Sequence, residues 1–308
     1  MAAANILAPH FQDADKAREH LEAIRWPSGP ICPHCGVLGG HYAMKGAAHR
    51  TGLLKCKDCR KQFSVTVKTV FEGSKIPLNK WLLAVHLMCA SKKAMSSHQL
   101  HRMLGITYKS AWFMTHRIRE AMKPNGGGLL GSGGGVVEVA ETYWGNAKPK
   151  ADCARGYDHK MKIMSLVERD GTKRSPHVAS VNGATVREIL KANVCKTANL
   201  MTDEASVHTK IGREYASHGV VRHKAKEYAR DNAITNNVEC SFSLLKRGLI
   251  GTFHHVGEQH LQRYVTEFDF RWNNRVAAGV GDVSRAEILL GQVGGKRLTY
   301  RHSSSGKA

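Results

Sequence analysis

Two Cys-x-x-Cys pairs twenty residues apart, Cys32-Pro-His-Cys35 and Cys56-Lys-Asp-Cys59, constrain this chain more than any other feature. Two such knuckles can wrap one tetrahedral zinc ion, with the residues between them forming a short hairpin. A structural zinc is preferred here over a redox pair or a chance spacing. His34 lies inside the first knuckle, but four thiolates already fill the shell, so it reads as a bystander. Phe63 to Val70 alternates like a strand and would complete a small ribbon. So small a ribbon has little core, and the metal should supply much of its folding energy. Cys89, Cys153, Cys195 and Cys240 follow no ligand spacing and read as small hydrophobes.

The charge balance points to a polyanionic partner. There are 46 Lys+Arg against 25 Asp+Glu, a formal net charge of +21, and each neutralised phosphate releases condensed counterion. A ribosomal or merely soluble basic protein is the plain alternative. With 42% hydrophobic residues over 308 positions, however, the chain can bury one sizeable core and one or two small ones. No apolar run approaches a membrane span, and the N-terminus lacks the apolar core of a signal peptide. The expectation is a protein of the cytoplasm and not of a membrane.

The organisation follows from punctuation and periodicity. Residues 1–28 hold a helix over 12–24, with Ala17, Leu21 and Ile24 as its apolar stripe and Trp26-Pro27 as its end. Residues 29–76 form the zinc ribbon. Residues 77–123 read as helices: Trp81, Leu82, Val85 and Met88 face inward on the first, and Leu100, Met103 and Leu104 on the second. Gly105 makes a turn, and Thr107 caps a third helix that buries Ala111, Met114, Ile118 and Met122. Tyr108 and Lys109 at its start, with His116 and Arg117 on its other side, give the pattern of a helix-turn-helix whose second helix enters the major groove. A plain helical hairpin with a solvated charged face competes with that reading. A glycine-rich linker at 124–135 separates these helices from a segment of strands and helices at 136–280, followed by a C-terminal tail at 281–308. Strands are expected at Val136–Glu141, Lys160–Val167, His177–Ser180 and Asn199–Thr202, with helices at 185–192, 236–247 and 258–273, so the segment suits a mixed sheet with helices packed on it.

In this second half, carboxylates are spaced as a metal site would need, with one missing. Asp203 ends an apolar strand, Glu239 lies near a helix start 36 positions later, and Lys246 is seven further on. Three carboxylates holding two divalent cations organise many displacements at phosphorus. The third would follow Val136-Val-Glu-Val139, and the residue there is Ala140. Taken singly, Asp203 could be a helix cap, and Glu239 with Lys246 a solvated surface pair.

Taken together, these residues resemble a DDE-type bacterial insertion-sequence transposase with an N-terminal zinc ribbon, the ISXO2-like group related to eukaryotic Merlin elements. The resemblance covers nearly the whole chain. It rests on Trp26-Pro27, the knuckles, Val85–Met122, Val137-Glu-Val-Ala-Glu-Thr-Tyr143, Thr202-Asp-Glu204, Asn237–Gly248 and Glu267-Phe-Asp-Phe-Arg-Trp-Asn-Asn-Arg275. It implies an α+β multidomain protein: zinc ribbon, helix-turn-helix, then an RNase H-like α/β domain with a mixed sheet. In such proteins the position of Ala140 holds the first metal-binding aspartate. Two Mg²⁺ ions would be held by that aspartate, Asp203 and Glu239, with Asn236 or Asn237 as alternatives to Glu239. The implied work is cleavage at transposon ends followed by strand transfer into double-stranded target DNA. Lys246, Arg247, Arg271 and Arg275 would hold backbone phosphates, and a homodimer would bring two ends together. Every other motif is intact, which favours an introduced Asp-to-Ala change over a degenerate natural copy. The competing functions are a non-catalytic zinc-ribbon regulator and a structure-specific nuclease.

Overall fold

The computed structural model describes residues 6–46, 48–147, 149, 156–169, 171–222, 225, 227, 229–230 and 232–299; Cys153 and the last nine residues of the expected tail lie outside these. The chain divides into two compact units, one of Met1–Lys123 with Gly279–Ala308, the other of Pro124–Ala278.

The first unit opens with α1 (Pro9–Gln12) and α2 (Ala14–Arg25). The Asp13 carboxylate caps α2 by accepting from the Lys16 amide, and Ala17 and Leu21 are buried on its inner face. An antiparallel sheet follows, of β1 (His41–Ala43), β2 (Leu54–Cys56) and β3 (Gln62–Phe63). The strand expected over Phe63–Val70 stops at Phe63. Beyond it, side chains take over the backbone's bonding: the Ser64 and Thr66 hydroxyls meet at 3.1 Å, and Thr69 donates to the Thr66 carbonyl and accepts from the Phe71 amide. Such local bonds compete with a sheet ladder, and the segment folds as turns with Lys68 at φ 53°.

Three helices complete this half: α3 (Leu78–Ala90), α4 (Ser97–Leu104) and α5 (Tyr108–Ala121). The Ser96 and Thr107 hydroxyls cap α4 and α5, and Gly105 joins them in the left-handed region at φ 59°. The expected stripes are buried except Met103, which is 52% exposed because Leu100 and Leu104 already fill the inner side of so short a helix. A larger correction concerns α5. His116 and Arg117, expected on an outward basic side, are 0% and 5% exposed. The Arg117 guanidinium lies 5.3 Å above the Trp81 ring and donates to the Glu72 carbonyl. The whole stretch Met114–Arg119 is buried, so only the first turn of α5 faces outward.

Residues Asp282–Gly291, expected within a tail, form a helix of this same unit packed on α2 and α3. Arg285 anchors it by donating to the Cys89 carbonyl at the end of α3 and to Asp282. Beyond it Gln292 and Lys296 donate to the Ala121 carbonyl, capping α5 from outside.

The second unit is built on β4 (Val136–Trp144), the longest strand. Then come β5 (Met161–Glu168), β6 (Lys173–Arg174), β7 (His177–Val178), α6 (Gly183–Asn193), β8 (Asn199–Asp203), α7 (Ser206–Gly212) and β9 (Ser217–Val221). The pair β10 (Ala229–Arg230) and β11 (Ala233–Ile234) precedes α8 (Asn236–Gly248) and α9 (Glu258–Asn273). The sheet runs β6-β5-β4-β8-β9, with β7 also paired to β5. Strand β5 is antiparallel to β4, whereas β8 and β9 run parallel to it. Because β4 is covered on both faces, apolar residues occupy both of its alternations. Val137 and Val139 pack with Val186 and Leu190 of α6, while Ala140 packs with Val238 and Phe242 of α8.

The short outer strands are sealed by α9. The Asn273 side chain accepts from the Lys173 amide at 2.7 Å and donates to its carbonyl at 3.0 Å. Gln262 does the same for the His177 amide and the Ser175 carbonyl. Covering an edge in this way removes a site for stray strand pairing. Between the two amides, Asp269 meets the Lys173 ammonium at 3.2 Å and the Ser175 hydroxyl at 2.8 Å. Lys173 is 2% exposed, so deleting its partner strands a buried charge. Asp269→Ala should therefore cost about 3–5 kcal/mol in urea unfolding, and Asp269→Leu with Lys173→Met should recover much of the loss. An unchanged midpoint for the single variant would remove this pair from the account of stability.

Candidate functional site

The four knuckle cysteines converge. Sγ of Cys32 lies 3.7 Å from that of Cys59, Sγ of Cys35 lies 3.6 Å from that of Cys56, and all four atoms fall within 4.8 Å of one another. A tetrahedron with Zn–S near 2.3 Å requires sulfur–sulfur separations of about 3.8 Å. The donor set therefore fits zinc. The thiols also need a cation. Burial pushes Cys32 up, but backbone N–H groups of Cys35 and His34 together with the neighbouring thiols bring it down to about 7. Cys35 has help from the Val37 amide, yet burial and three adjoining sulfurs drive it up to about 12. His34 is indeed turned away, its Nε2 lying 3.2 Å from the Gln62 carbonyl oxygen.

In the second unit, Ala140, Asp203 and Glu239 sit on adjoining elements. The ladder between β4 and β8 ends at Val139↔Thr202, and Ala140 and Asp203 are the next residues of the two strands. Ala140 also packs against Val238, the residue before Glu239. Asp203 is half-buried, and its carboxylate accepts from the Ala205 amide and lies 3.7 Å from Nε2 of His208. Glu239 accepts from the buried Thr235 hydroxyl at 2.9 Å. Lys246 is partly exposed two turns along α8. Arg247 is exposed, with its Nε donating to the Ser243 carbonyl.

The two acidic neighbours of Ala140 are both committed. Glu138, fully buried, accepts from the Asn237 and Val238 amides at 2.9 and 3.1 Å and from the Asn237 side chain at 2.8 Å. It holds the N-terminus of α8, where backbone N–H groups and the helix dipole favour a negative charge. Asn237 is thereby occupied, while Asn236 is exposed. The sequence signal for Glu138 in this role is that a carboxylate inside a valine run must have a buried partner. Glu141 points to the opposite face and lies 3.2 Å from Nε2 of His208, a residue the sequence did not single out.

The basic residues divide. Arg271 is held by the buried Glu267 at 3.2 Å, and Arg275 lies over the Trp272 ring at 4.8 Å. Neither is presented as the simple phosphate contact expected. In the first unit Tyr108 and Lys109 are exposed at the start of α5, and Tyr108 stacks on His98 of α4 at 4.2 Å, with Arg102 exposed nearby on α4.

Residues 132–273 match the model of the ISXO2-like transposase domain, and residues 12–62 that of the transposase zinc-ribbon domain. The chain thus carries one segment similar to each of these two transposase domains. It is also 26% identical over 285 residues to an uncharacterized protein in transposable element ISH50 of Halobacterium salinarum, a match covering 85% of this chain and 91% of the relative. Transposase domains imply DNA binding. Among the described residues no helix is long and apolar enough to cross a membrane.

For the transposase zinc ribbon the expectation is one zinc per chain. Elemental analysis should find it, Cys56→Ser should lose it, and a chelator strong enough to strip it should melt the ribbon while leaving the ISXO2-like unit folded. Full metal content in Cys56→Ser would contradict this assignment.

Proposed function

We propose that this protein binds transposon ends through its first unit and that its second unit is an RNase H-like catalytic domain disabled at one position. The observation that supports the reading is that Ala140 and Asp203 each follow the Val139↔Thr202 pair on adjacent strands, and that Ala140 packs with Val238, the neighbour of Glu239. A sheet with one antiparallel and one parallel neighbour on either side of that strand supports the fold assignment.

The residues present do not fit a two-cation site. With Ala140 in an apolar setting of Val167, Val238 and Phe242, only Asp203 and Glu239 remain of the three carboxylates. Among the described residues the cysteine cluster alone gathers three or more ligands. We therefore assign no catalytic step to this chain and read it as a DNA-binding form, with the Asp-to-Ala change introduced into an otherwise intact enzyme. An aspartate at 140 would complete the set for Mg²⁺, which activates water and offsets charge at phosphorus when bound by such a site. Two ends must be joined for transposition, so a homodimer is expected. Its place is the cytoplasm, on the nucleoid.

Ala140→Asp should gain Mg²⁺-dependent cleavage of duplexes carrying the element's terminal repeats, followed by strand transfer. Adding Glu239→Gln should abolish that gain. If Ala140→Asp with Glu239→Gln cuts as well as Ala140→Asp alone, Asn236 becomes the third ligand. If the unaltered chain already cuts at the same rate as Ala140→Asp, the three-carboxylate reading fails. Cutting without strand transfer would favour a structure-specific nuclease, and no cutting by either form a zinc-ribbon regulator.

For DNA binding, the exposed start of α5 is the proposed reading surface, as in a helix-turn-helix. Lys109→Ala should weaken binding and lower the slope of log affinity against log salt by about one. Arg117→Ala should instead lower the unfolding midpoint, since its guanidinium is buried on Trp81. Unchanged affinity and salt slope in Lys109→Ala would remove α5 from the interface.

A further inference from the structure

Beyond the carboxylates, the far ends of β4 and β5 carry a feature that the proposed chemistry leaves unused. Tyr143 on β4 is paired with Lys162 on β5. Beside them opens a cleft of about 360 Å³, lined by Tyr143, Tyr157, Asp158, Lys162, Ser180 and Val181. The rings of Tyr143 and Tyr157 stack with centroids 4.7 Å apart and planes 27° from parallel. Tyr157 is 59% exposed, so this stack leaves much of an aromatic surface open to solvent. A core would have covered it.

The cleft lies on the face of β4 that carries Glu141, opposite that of Ala140. Tyr143 follows Glu141 by two residues, which puts it on the same face of β4 about 7 Å further along. Its phenol is pushed up by burial first, and then by the negative charge of Glu141. The Lys162 ammonium is held at the rim by the Asp158 and Lys160 carbonyls at 3.1 and 3.4 Å, leaving a third N–H to meet an outside acceptor.

We propose that this cleft receives one unpaired nucleobase of the bound DNA, stacked on the Tyr157–Tyr143 pair. The proposal rests on the DNA-processing reading above. A planar, mostly neutral guest suits aromatic walls with Asp158 in the lining better than a free phosphate does, because that carboxylate would repel an anion. Every base has a face that stacks on an aromatic ring, so the cleft needs no particular sequence. A base inside a duplex cannot enter; it must be single-stranded or drawn out of the helix. The Lys162 ammonium is placed to take the phosphate next to that base, and the net charge of +21 supplies the long-range attraction for the strand.

The test uses the full chain as it stands, with Ala140. Affinity is measured by fluorescence anisotropy for a blunt duplex and for the same duplex with a short single-stranded extension, in both polarities, carrying 2-aminopurine in the extension. The extended duplex of one polarity should bind about five- to 150-fold more tightly, the range for one stacked base, with 2-aminopurine fluorescence quenched on binding. Tyr157→Ala should erase both the preference and the quenching while leaving blunt-duplex affinity unchanged, and Tyr157→Phe should keep them. Equal affinity for blunt and extended duplexes in the unaltered chain overturns the cleft and leaves the DNA reading intact. A preference that survives Tyr157→Ala puts the base elsewhere and also overturns it. Failure to bind either duplex overturns both.

Discussion

The carboxylate of Glu138 is the tie on which the second unit's candidate site depends. It lies fully buried inside the central strand and receives three N–H groups from the first turn of α8. Hydrogen bonds to a charged group contribute about 1.5–3 kcal/mol each, and leaving such a charge unpaired in the core would cost more. The strand and the helix are thereby locked in one register. Val238 then falls on Ala140, and Glu239, one residue on, falls at the flank of the same strand. The parallel ladder to β8 sets Asp203 on the other flank. The geometry of the proposed site is held by a carboxylate outside the proposed ligand set.

This tie also lets position 140 carry a methyl group with the scaffold intact. Ala140 is buried among Val167, Val238 and Phe242, and a methyl group there is compatible with its neighbours. The outer strands are held separately, by the Asn273 and Gln262 amides and the Lys173–Asp269 pair. The conspicuous Glu267–Arg275 segment thus works mainly as a clamp: Asp269 and Asn273 seal the sheet edge, while Glu267 holds Arg271. Its charged residues look like phosphate contacts in a sequence and like internal partners in a fold.

What the sequence made legible follows periodicity and fixed spacing. The knuckles declare a metal site because four cysteines at that spacing have few other uses. Val136–Val139 declares a central strand, and the caps Thr107 and Ser96 mark helix starts. Where legibility failed, the deciding contact came from far along the chain. Arg117 reads as an outward charge until Trp81 and the Glu72 carbonyl enclose it from 36 and 45 residues away. Asp282–Gly291 reads as a tail until Arg285 reaches the end of α3. The alternation in Ser64–Val70 suggested a strand, but hydroxyls bonding to nearby backbone bent it into turns. Candidate positions 140, 203 and 239 came from resemblance; the bonds from Glu138 that fix β4 against α8 were not legible.

The central claim is that a carboxylate at position 140 is the one missing corner of a divalent-cation site. Electron paramagnetic resonance of Mn²⁺, titrated into the zinc-loaded protein with duplex DNA, tests it without requiring turnover. The account predicts that Ala140→Asp takes up Mn²⁺ at concentrations where the Ala140 chain leaves it free, and that Asp203→Asn in that background removes the uptake. Equal Mn²⁺ binding by the Ala140 and Asp forms would contradict it.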